Sequence, residues 1–131
     1  MSVYFSVPGV AVVRWDEPTA TVCIDWDGWA NTAEFDALLD AEVKALHDHN
    51  ASRMLADCRR QRALNTTDQE RAERDWTPRA IEAGLRKFAV VLPESDVAAA
   101  QLQERLKSAS AGGMRVRYFV TVDEAREWLA R

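Results

Sequence analysis

Residues 87–93, with the sequence KFAVVLP, limit the folds open to this chain more than any other segment. Positions 88–92 are apolar without a polar interruption. A strand with one wet face alternates apolar and polar residues, whereas a strand covered on both faces reads as a continuous apolar run. The segment therefore predicts a strand inside a parallel sheet, with helices on both faces.

The rest of the sequence supplies the neighbours of this strand. Strands are predicted at residues 10–15, 19–26, 53–57 and 114–120. The first two are separated by a short turn, which favours an antiparallel hairpin. Helical spacing of apolar residues predicts helices after the second, third, fourth and fifth strands. The expected order is β-β-α-β-α-β-α-β-α, a mixed α/β sheet of about five strands with flanking helices.

Capping residues mark where the helices begin. Three capping boxes and one serine cap are present, together with a proline at which the second helix is expected to restart. These residues are Asn31 with Glu34, Thr67 with Glu70, Thr121 with Glu124, Ser95, and Pro78.

Composition narrows the class of protein. The 131 residues fit one domain, 1–131. A net charge of −4 argues against nucleic acid as a partner. No apolar run is long enough for a membrane span, and the N-terminus does not resemble a signal peptide, so we expect a cytoplasmic protein. Cys23 and Cys58 are then reduced thiols, and neither they nor His47 and His49 suggest a metal or another cofactor.

Several segments together resemble the SpoIIAA-like, or STAS-like, family, and more narrowly its small stand-alone bacterial STAS/SEC14 domain proteins. The likeness covers nearly the whole chain. It is carried by Gly28-Trp29 before a helix containing Phe35, by LADCR at 55–59, by WTPRAIEAGL at 76–85, by AVVLPE at 89–94, and by Phe119, Glu124, Ala125, Trp128 and Leu129. The resemblance implies a SpoIIAA-like fold and a binding or regulatory role.

One motif of the related anti-sigma-factor antagonists is missing. Those proteins carry a phosphorylatable serine in an Asp-Ser motif, at the start of the helix after the third strand. Here that region reads NTTD, from Asn65 to Asp68. Thr66 and Thr67 lie near the equivalent place, but the motif itself does not carry over.

The candidate binding site follows the strand that ends at Asp57. In α/β sheets, ligands bind outside the carboxyl ends of the strands. Arginines in the following loop and a helix N-terminus near Thr67 could together hold an anion. The predicted ligand-binding residues are Asp57, Arg59, Arg60, Arg62, Thr66 and Thr67. The alternative is that the arginines are solvated and the threonine only caps its helix, contributing about 1 kcal/mol.

Three functions remain open. The first is a non-catalytic STAS-like module that engages a protein partner or a small acidic ligand. The second is a small enzyme that uses either Cys58 as a nucleophile or Asp57 paired with Asp75 as acid and base, although no base is obviously placed beside the thiol. The third is a SEC14-like carrier of an apolar or lipid ligand, which needs a sizeable dry cavity.

The five tryptophans bear on interactions with other proteins. Trp26, Trp76 and Trp128 fall on predicted core faces, whereas Trp15 and Trp29 lie at strand and loop ends. Exposed aromatic residues are enriched at interfaces, so a homodimer or a partner surface is plausible. The opposite face of the second strand is polar and is expected to be wet or in a hydrophilic contact; it carries Thr19, Thr21, Cys23 and Asp25.

Overall fold

A computed structural model describes residues 1–62, 66–107 and 112–131, apart from the side chains of residues 66, 69, 72, 73 and 105. The strands are β1 (Ser2–Val7), β2 (Ala11–Asp16), β3 (Thr21–Trp26), β4 (Arg53–Asp57), β5 (Lys87–Val91) and β6 (Arg115–Phe119). The helices are α1 (Thr32–Asp48), α2 (Thr66–Glu82), α3 (Asp96–Arg105) and α4 (Val122–Leu129).

The six strands form one sheet in which spatial order follows chain order, from β1 to β6. The pairs β1–β2 and β2–β3 are antiparallel. The pairs β3–β4, β4–β5 and β5–β6 are parallel. The mixed α/β sheet with an antiparallel start and parallel remainder is confirmed, but it has six strands where about five were expected.

The additional strand is β1, at one edge of the sheet. Its sequence, SVYFSV, is rich in β-branched and aromatic residues, which favour strands. Gly9, at φ +76°, forms the turn into β2, a backbone conformation that glycine adopts without strain. The register shifts between Val3 and Phe5, and this irregularity breaks the period-two pattern by which a strand is recognised in a sequence.

Helices α1, α2 and α3 contribute to the larger of two apolar clusters, on one face of the sheet. Residues of β2 to β5 that point to this face are almost fully buried against them, among them Val13, Ile24, Met54, Phe88 and Val90. Trp26 and Trp76 belong to the same cluster, as predicted. This face accounts for most of the buried apolar surface, the main favourable term in folding.

Helix α4 covers part of the opposite face. Its Ala125, Trp128 and Leu129 pack with Leu55 and Ala89 of the sheet. Val91 lies in the same cluster, so β5 is buried on both faces, as its continuous apolar run predicts. The polar face expected for β3 is covered here at Thr21 and Cys23, which are 2% and 3% exposed, and is open to solvent at Asp25.

The capping residues mostly act as predicted. Asn31 and Glu34 form a complete capping box at α1. Ser95 and Thr121 cap α3 and α4 by accepting a backbone N–H bond. These bonds satisfy amide groups that the first helical turn leaves without an intrahelical acceptor.

Helix α2 differs from the prediction in two ways. It begins at Thr66, so Thr67 lies in its first turn and does not form the cap of the helix. It also continues through Thr77 and Pro78 to Glu82, where a break and restart were expected. Proline removes one N–H bond from a helix, and packing of the neighbouring Trp76 and Ala80 into the core stabilises the helix across that position.

Candidate functional site

A cleft of about 530 Å³ lies at the carboxyl ends of β3 and β4. Strand β2 and the turn before it form one wall, and the segments that follow β3, β4 and β5 form the others. Its charged lining residues are Arg14, Asp25, Asp27, Asp57, Arg59, Arg60 and Glu94. The cleft therefore occupies the position at which an α/β sheet usually binds its ligands.

Asp57 and Arg59 form the ion pair with the most hydrogen bonds among those of the cleft. The Arg59 side chain donates from Nε to Oδ1 of Asp57 at 2.9 Å and from Nη2 to Oδ2 at 2.7 Å. The Arg59 backbone N–H donates to the same Oδ1 at 3.2 Å. Such bidentate, charge-assisted bonds are stronger than neutral hydrogen bonds and fix the orientation of both side chains.

The pKa of Asp57 records this environment. Burial is the largest single influence and raises the pKa of the carboxyl group. The hydrogen bonds from Arg59 and its positive charge together outweigh burial, so the pKa lies below its usual value of 3.8. The pKa of Arg59 is raised by the same pair. Asp57 is therefore a charged partner of Arg59 at neutral pH and is not poised as a general acid.

The other two arginines of the cleft are also paired. Arg60 Nε lies 3.0 Å from Asp27 Oδ1, and Arg14 Nε lies 3.2 Å from Asp25 Oδ2. Both pairs are more exposed than the pair of Asp57. Because exposed ion pairs contribute only about 0–1 kcal/mol, these contacts can exchange for contacts with a ligand or a partner.

Two of the remaining predicted ligand-binding residues, Arg62 and Thr67, do not line the cleft. Arg62 is exposed, and its backbone N–H donates to Gly28 O at 3.4 Å. Thr67 is exposed in the first turn of α2. The side chain of Thr66 lies outside the described part of the structure. The geometry thus brings Asp57, Arg59 and Arg60 together and leaves Thr67 outside their cleft.

A carboxylate of the protein already lies at the start of α2. Asp68 is only 2% exposed. It accepts hydrogen bonds from the Thr32 hydroxyl at 3.2 Å and from Arg71 Nη2 at 2.8 Å. A negative side chain in the first turn is favoured by the helix dipole. This arrangement ties α2 to α1 and places an acid where the sequence suggested an anion site.

Cys58 and the two histidines are far apart in the fold. Cys58 follows β4 and is 1% exposed, within the cluster beneath α1, α2 and α3. His47 and His49 lie at the end of α1, before β4 begins, and His49 stacks on Trp15 with a centroid distance of 4.1 Å. Since β4 has five residues, at roughly 3.3 Å each, the thiol and the imidazoles lie near opposite ends of the strand.

The two aspartates considered as an acid–base pair also lie in different places. Asp57 lines the cleft, whereas Asp75 lines a separate groove between α1 and α2 together with Asp40 and Arg79. Within the described ranges, no three histidine, cysteine or acidic side chains converge as a metal site.

The interior offers little room for an apolar ligand. A cavity between the sheet and the helices is lined by Trp26, Leu39, Trp76, Phe88 and Leu102, among others, and has a volume of about 20 Å³. That is enough for about one water molecule. Sites for drug-sized ligands have volumes of roughly 300–1,000 Å³. In this conformation the cavity does not accommodate a lipid chain.

Sequence reasoning missed four of the seven charged residues in the cleft. Asp25 and Asp27 flank Trp26 at the end of β3, and Glu94 follows β5. A signal was present, because each lies at or just after the carboxyl end of a strand in the parallel part of the sheet. Arg14 gave no such signal, since β2 runs antiparallel and brings it in from the middle of the strand.

Trp29 is an exposed aromatic residue close to the cleft in sequence. It is 52% exposed, two residues after Asp27, in the loop between β3 and α1. Trp15, by contrast, is buried beneath His49. Of the two tryptophans whose positions the sequence left open, Trp29 is therefore the one available to another molecule.

The chain resembles known proteins in sequence and in fold. The model of the SpoIIAA-like family matches residues 21–130. Among solved structures, the chain is similar to an uncharacterised protein of the DUF3478 family from Shewanella loihica PV-4, which has a SpoIIAA-like fold. The TM-score is 0.59 and the sequence identity 11%, over 95% of this chain and 98% of that chain. This is a likeness of fold alone. No curated protein matches the sequence.

Proposed function

Because the chain belongs to the SpoIIAA-like family, we propose that it is a non-catalytic binding or regulatory module that engages a protein partner through the charged cleft. The family fold is typically such a module. No helix in the described ranges is both long and apolar enough to cross a membrane.

The pairing of the cleft arginines is the observation that carries the proposal. Arg14 and Arg60 each face a carboxylate of a neighbouring segment, and Arg59 faces Asp57 at the end of the strand just before it, so the cleft presents paired positive and negative groups. A surface of mixed charge matches a partner protein that carries the complementary pattern. Such complementarity raises the association rate and fixes the orientation of docking.

Trp29 supplies an aromatic anchor for the same partner. Interfaces derive most of their affinity from a few residues, in which tryptophan and arginine are enriched. The exposed indole and the three arginines provide both residue types at one end of the sheet.

A small acidic ligand is the second candidate. Arg60 favours it, because its side chain is 74% exposed and its partner Asp27 is 54% exposed. An incoming carboxylate or phosphate can replace Asp27 at modest cost. Isothermal titration with phosphate and with citrate tests this candidate, and binding that survives in Arg60→Ala would contradict it.

Site-specific photo-crosslinking tests the protein-partner proposal. A benzophenone amino acid replaces Trp29, next to the cleft, or Lys44, exposed on α1 as a matched control. We expect a discrete adduct from position 29 in cells and no such adduct from position 44. We expect Arg59→Ala/Arg60→Ala to abolish the adduct and the distant Arg74→Ala to preserve it.

The proposal fails if both positions give the same adducts, or if the double variant leaves the adduct at position 29 unchanged. Mass spectrometry of the adduct identifies the partner. An adduct of twice the mass of the chain would make the partner a second copy, which is the homodimer that the tryptophan content suggested.

A further inference from the structure

Strand β6 is an open edge of the sheet. It pairs with β5 on one side and with no other strand in the described part of the chain. Arg115 donates its backbone N–H to Arg86 O, and Phe119 O accepts from Leu92 N. These bonds point inward, toward β5. Because backbone groups alternate in direction along a strand, the N–H and C=O of Val116, between them, point outward.

The side chains of β6 alternate in chemistry as well. Arg115 and Arg117 are exposed on the face covered by α4, whereas Val116 and Tyr118 are partly buried against the larger apolar cluster. The guanidinium carbons of both arginines lie 5.8 Å from the centroid of the Trp128 ring. Stacking on the indole holds both cations beside the open edge.

Neither arginine forms an ion pair within the described ranges, in contrast to the arginines of the cleft. Lys87, the register partner of Arg115 on β5, is also a cation. Arg53, Lys87 and Arg115 occupy one register row across β4, β5 and β6. Like charges side by side in a sheet are destabilising, so this row favours a source of negative charge from outside.

We propose that β6 binds an extended acidic segment of a partner protein, which adds to the sheet as a seventh strand. Acidic residues at alternate positions of the segment face Arg115 and Arg117. Its intervening apolar residues continue the face of Val116 and Tyr118. Backbone bonds give such strand addition its affinity, and alternating side chains give its specificity. This surface is separate from the cleft of the proposed function.

The same arginines disfavour a second copy of the chain as the occupant. An antiparallel pair of two β6 strands places arginines of one copy opposite or beside those of the other, which is repulsive. Charge repulsion thus disfavours pairing of β6 with a second β6 strand, whereas a segment of opposite charge can still pair with it.

Titration with synthetic peptides tests the proposal. The probe is a nine-residue peptide in which glutamate alternates with valine and threonine, and binding is followed by fluorescence anisotropy and by amide NMR of the full chain at physiological salt. We expect shifts concentrated in β6. We expect Arg115→Glu/Arg117→Glu to raise Kd about tenfold or more, because reversed charges repel the peptide, and the exposed Arg74→Glu to leave it unchanged.

Two further reagents separate strand addition from loose charge attraction. A peptide of the same composition in scrambled order, and one N-methylated at alternate residues, should each bind about tenfold more weakly, since alternation or backbone bonding is lost. Arg117→Lys changes the side chain over Trp128 but keeps its positive charge, so it should retain binding. This variant therefore separates loss of charge from damage to the packing of Trp128.

Several results would overturn the proposal. Equal binding of the ordered, scrambled and methylated peptides would mean that net charge alone accounts for the interaction, without strand pairing. Kd unchanged in the charge-reversed variant would exclude the edge. Tighter binding to phosphatidylserine vesicles or to duplex DNA than to the peptide would mean that the arginines of β6 bind a different class of partner. If the chain self-associates and charge reversal abolishes that association, the molecule bound at the edge is a second copy of the chain.

Discussion

Most of the cations at the two ends of the parallel strands have different kinds of partner. At the carboxyl ends, Arg59 and Arg60 face carboxylates at 2.7 and 3.0 Å. At the amino ends, Arg53 and Lys87 donate to backbone carbonyls, and Arg115 lies over Trp128. The cleft arginines are neutralised by carboxylates of the chain. At the amino ends Arg126 is also paired, with Asp16 at 3.0 Å, but Arg53, Lys87 and Arg115, which begin β4, β5 and β6, form no ion pair within the described residues. What a surface can bind therefore depends on which groups its arginines already contact, and not only on the presence of arginines.

The largest expected effect comes from removing the aromatic platform at the amino ends. Trp128 is 3% exposed and packs on Phe119 with a centroid distance of 5.9 Å. Trp128→Ala should lower the free energy of unfolding by about 3–5 kcal/mol, because it leaves a cavity and unseats the stacked cations. Urea denaturation followed by circular dichroism measures the loss.

Trp29→Ala is the matched control, since it removes the same side chain from an exposed site. It should change stability by no more than about 0.5 kcal/mol. Similar losses in both variants would mean that the platform beneath the amino-end cations has no special structural role.

An intermediate effect on stability is expected from removing the Asp57–Arg59 ion pair at the carboxyl end of β4. Asp57→Asn removes the charge that Arg59 binds with three hydrogen bonds. At neutral pH it should cost about 1–2 kcal/mol, reduced from the value for a buried charged pair by the exposure of Arg59. Asp27→Asn, at an exposed pair of the same cleft, should cost about 0.5 kcal/mol or less.

The stability difference between wild type and Asp57→Asn should depend on pH. The folded-state pKa of Asp57 lies below the unfolded value near 3.8. The stability gained from the charged form is therefore present above about pH 4 and is lost as pH falls through the folded-state pKa. The gap between wild type and Asp57→Asn should be constant near neutral pH and close in acid. A gap that persists undiminished in strong acid would contradict a role for the charge.

The smallest effect is expected at Lys87. Its pKa lies below the usual 10.5, first because of desolvation and then because of Arg115, Arg53 and Arg131. The folded state thus holds this proton less tightly than the unfolded chain, so stability contributed here rises as pH rises from the lowered pKa toward 10.5. Wild type should gain stability relative to Lys87→Met over that window, with Lys44→Met as control. A relative loss would show that the amino-end cations do not repel one another.

Prediction from the sequence succeeded for elements whose residues follow a regular apolar pattern on both faces. The apolar run at 88–92 identified a doubly covered strand because no other common element needs apolar residues on consecutive positions over so short a length. Strand β1 was not predicted, because its irregular register interrupts the alternation of side chains. The break expected in α2 was wrong, since the helix continues through Pro78. Local signals cannot report such stabilisation by distant packing.

The candidate site was only partly predictable for a related reason. The position of Asp57, Arg59 and Arg60 followed from the end of a strand. The carboxylates that pair with Arg14 and Arg60 lie on β3 and just after it, so their role depends on tertiary contacts. Likewise, a basic residue opens each of β4, β5 and β6 in the sequence, but only the strand register aligns them in one row.

The agreement between chain order and sheet order has a consequence for biosynthesis. Each strand can dock beside the one made just before it, so the sheet can be assembled progressively in chain order during translation. Helix α4 is the exception, because it is made after all six strands and shields Cys23, Leu55 and Ala89. Until it docks, a nearly complete sheet carries a bare apolar patch. That late intermediate is where a nascent chain would most need a chaperone.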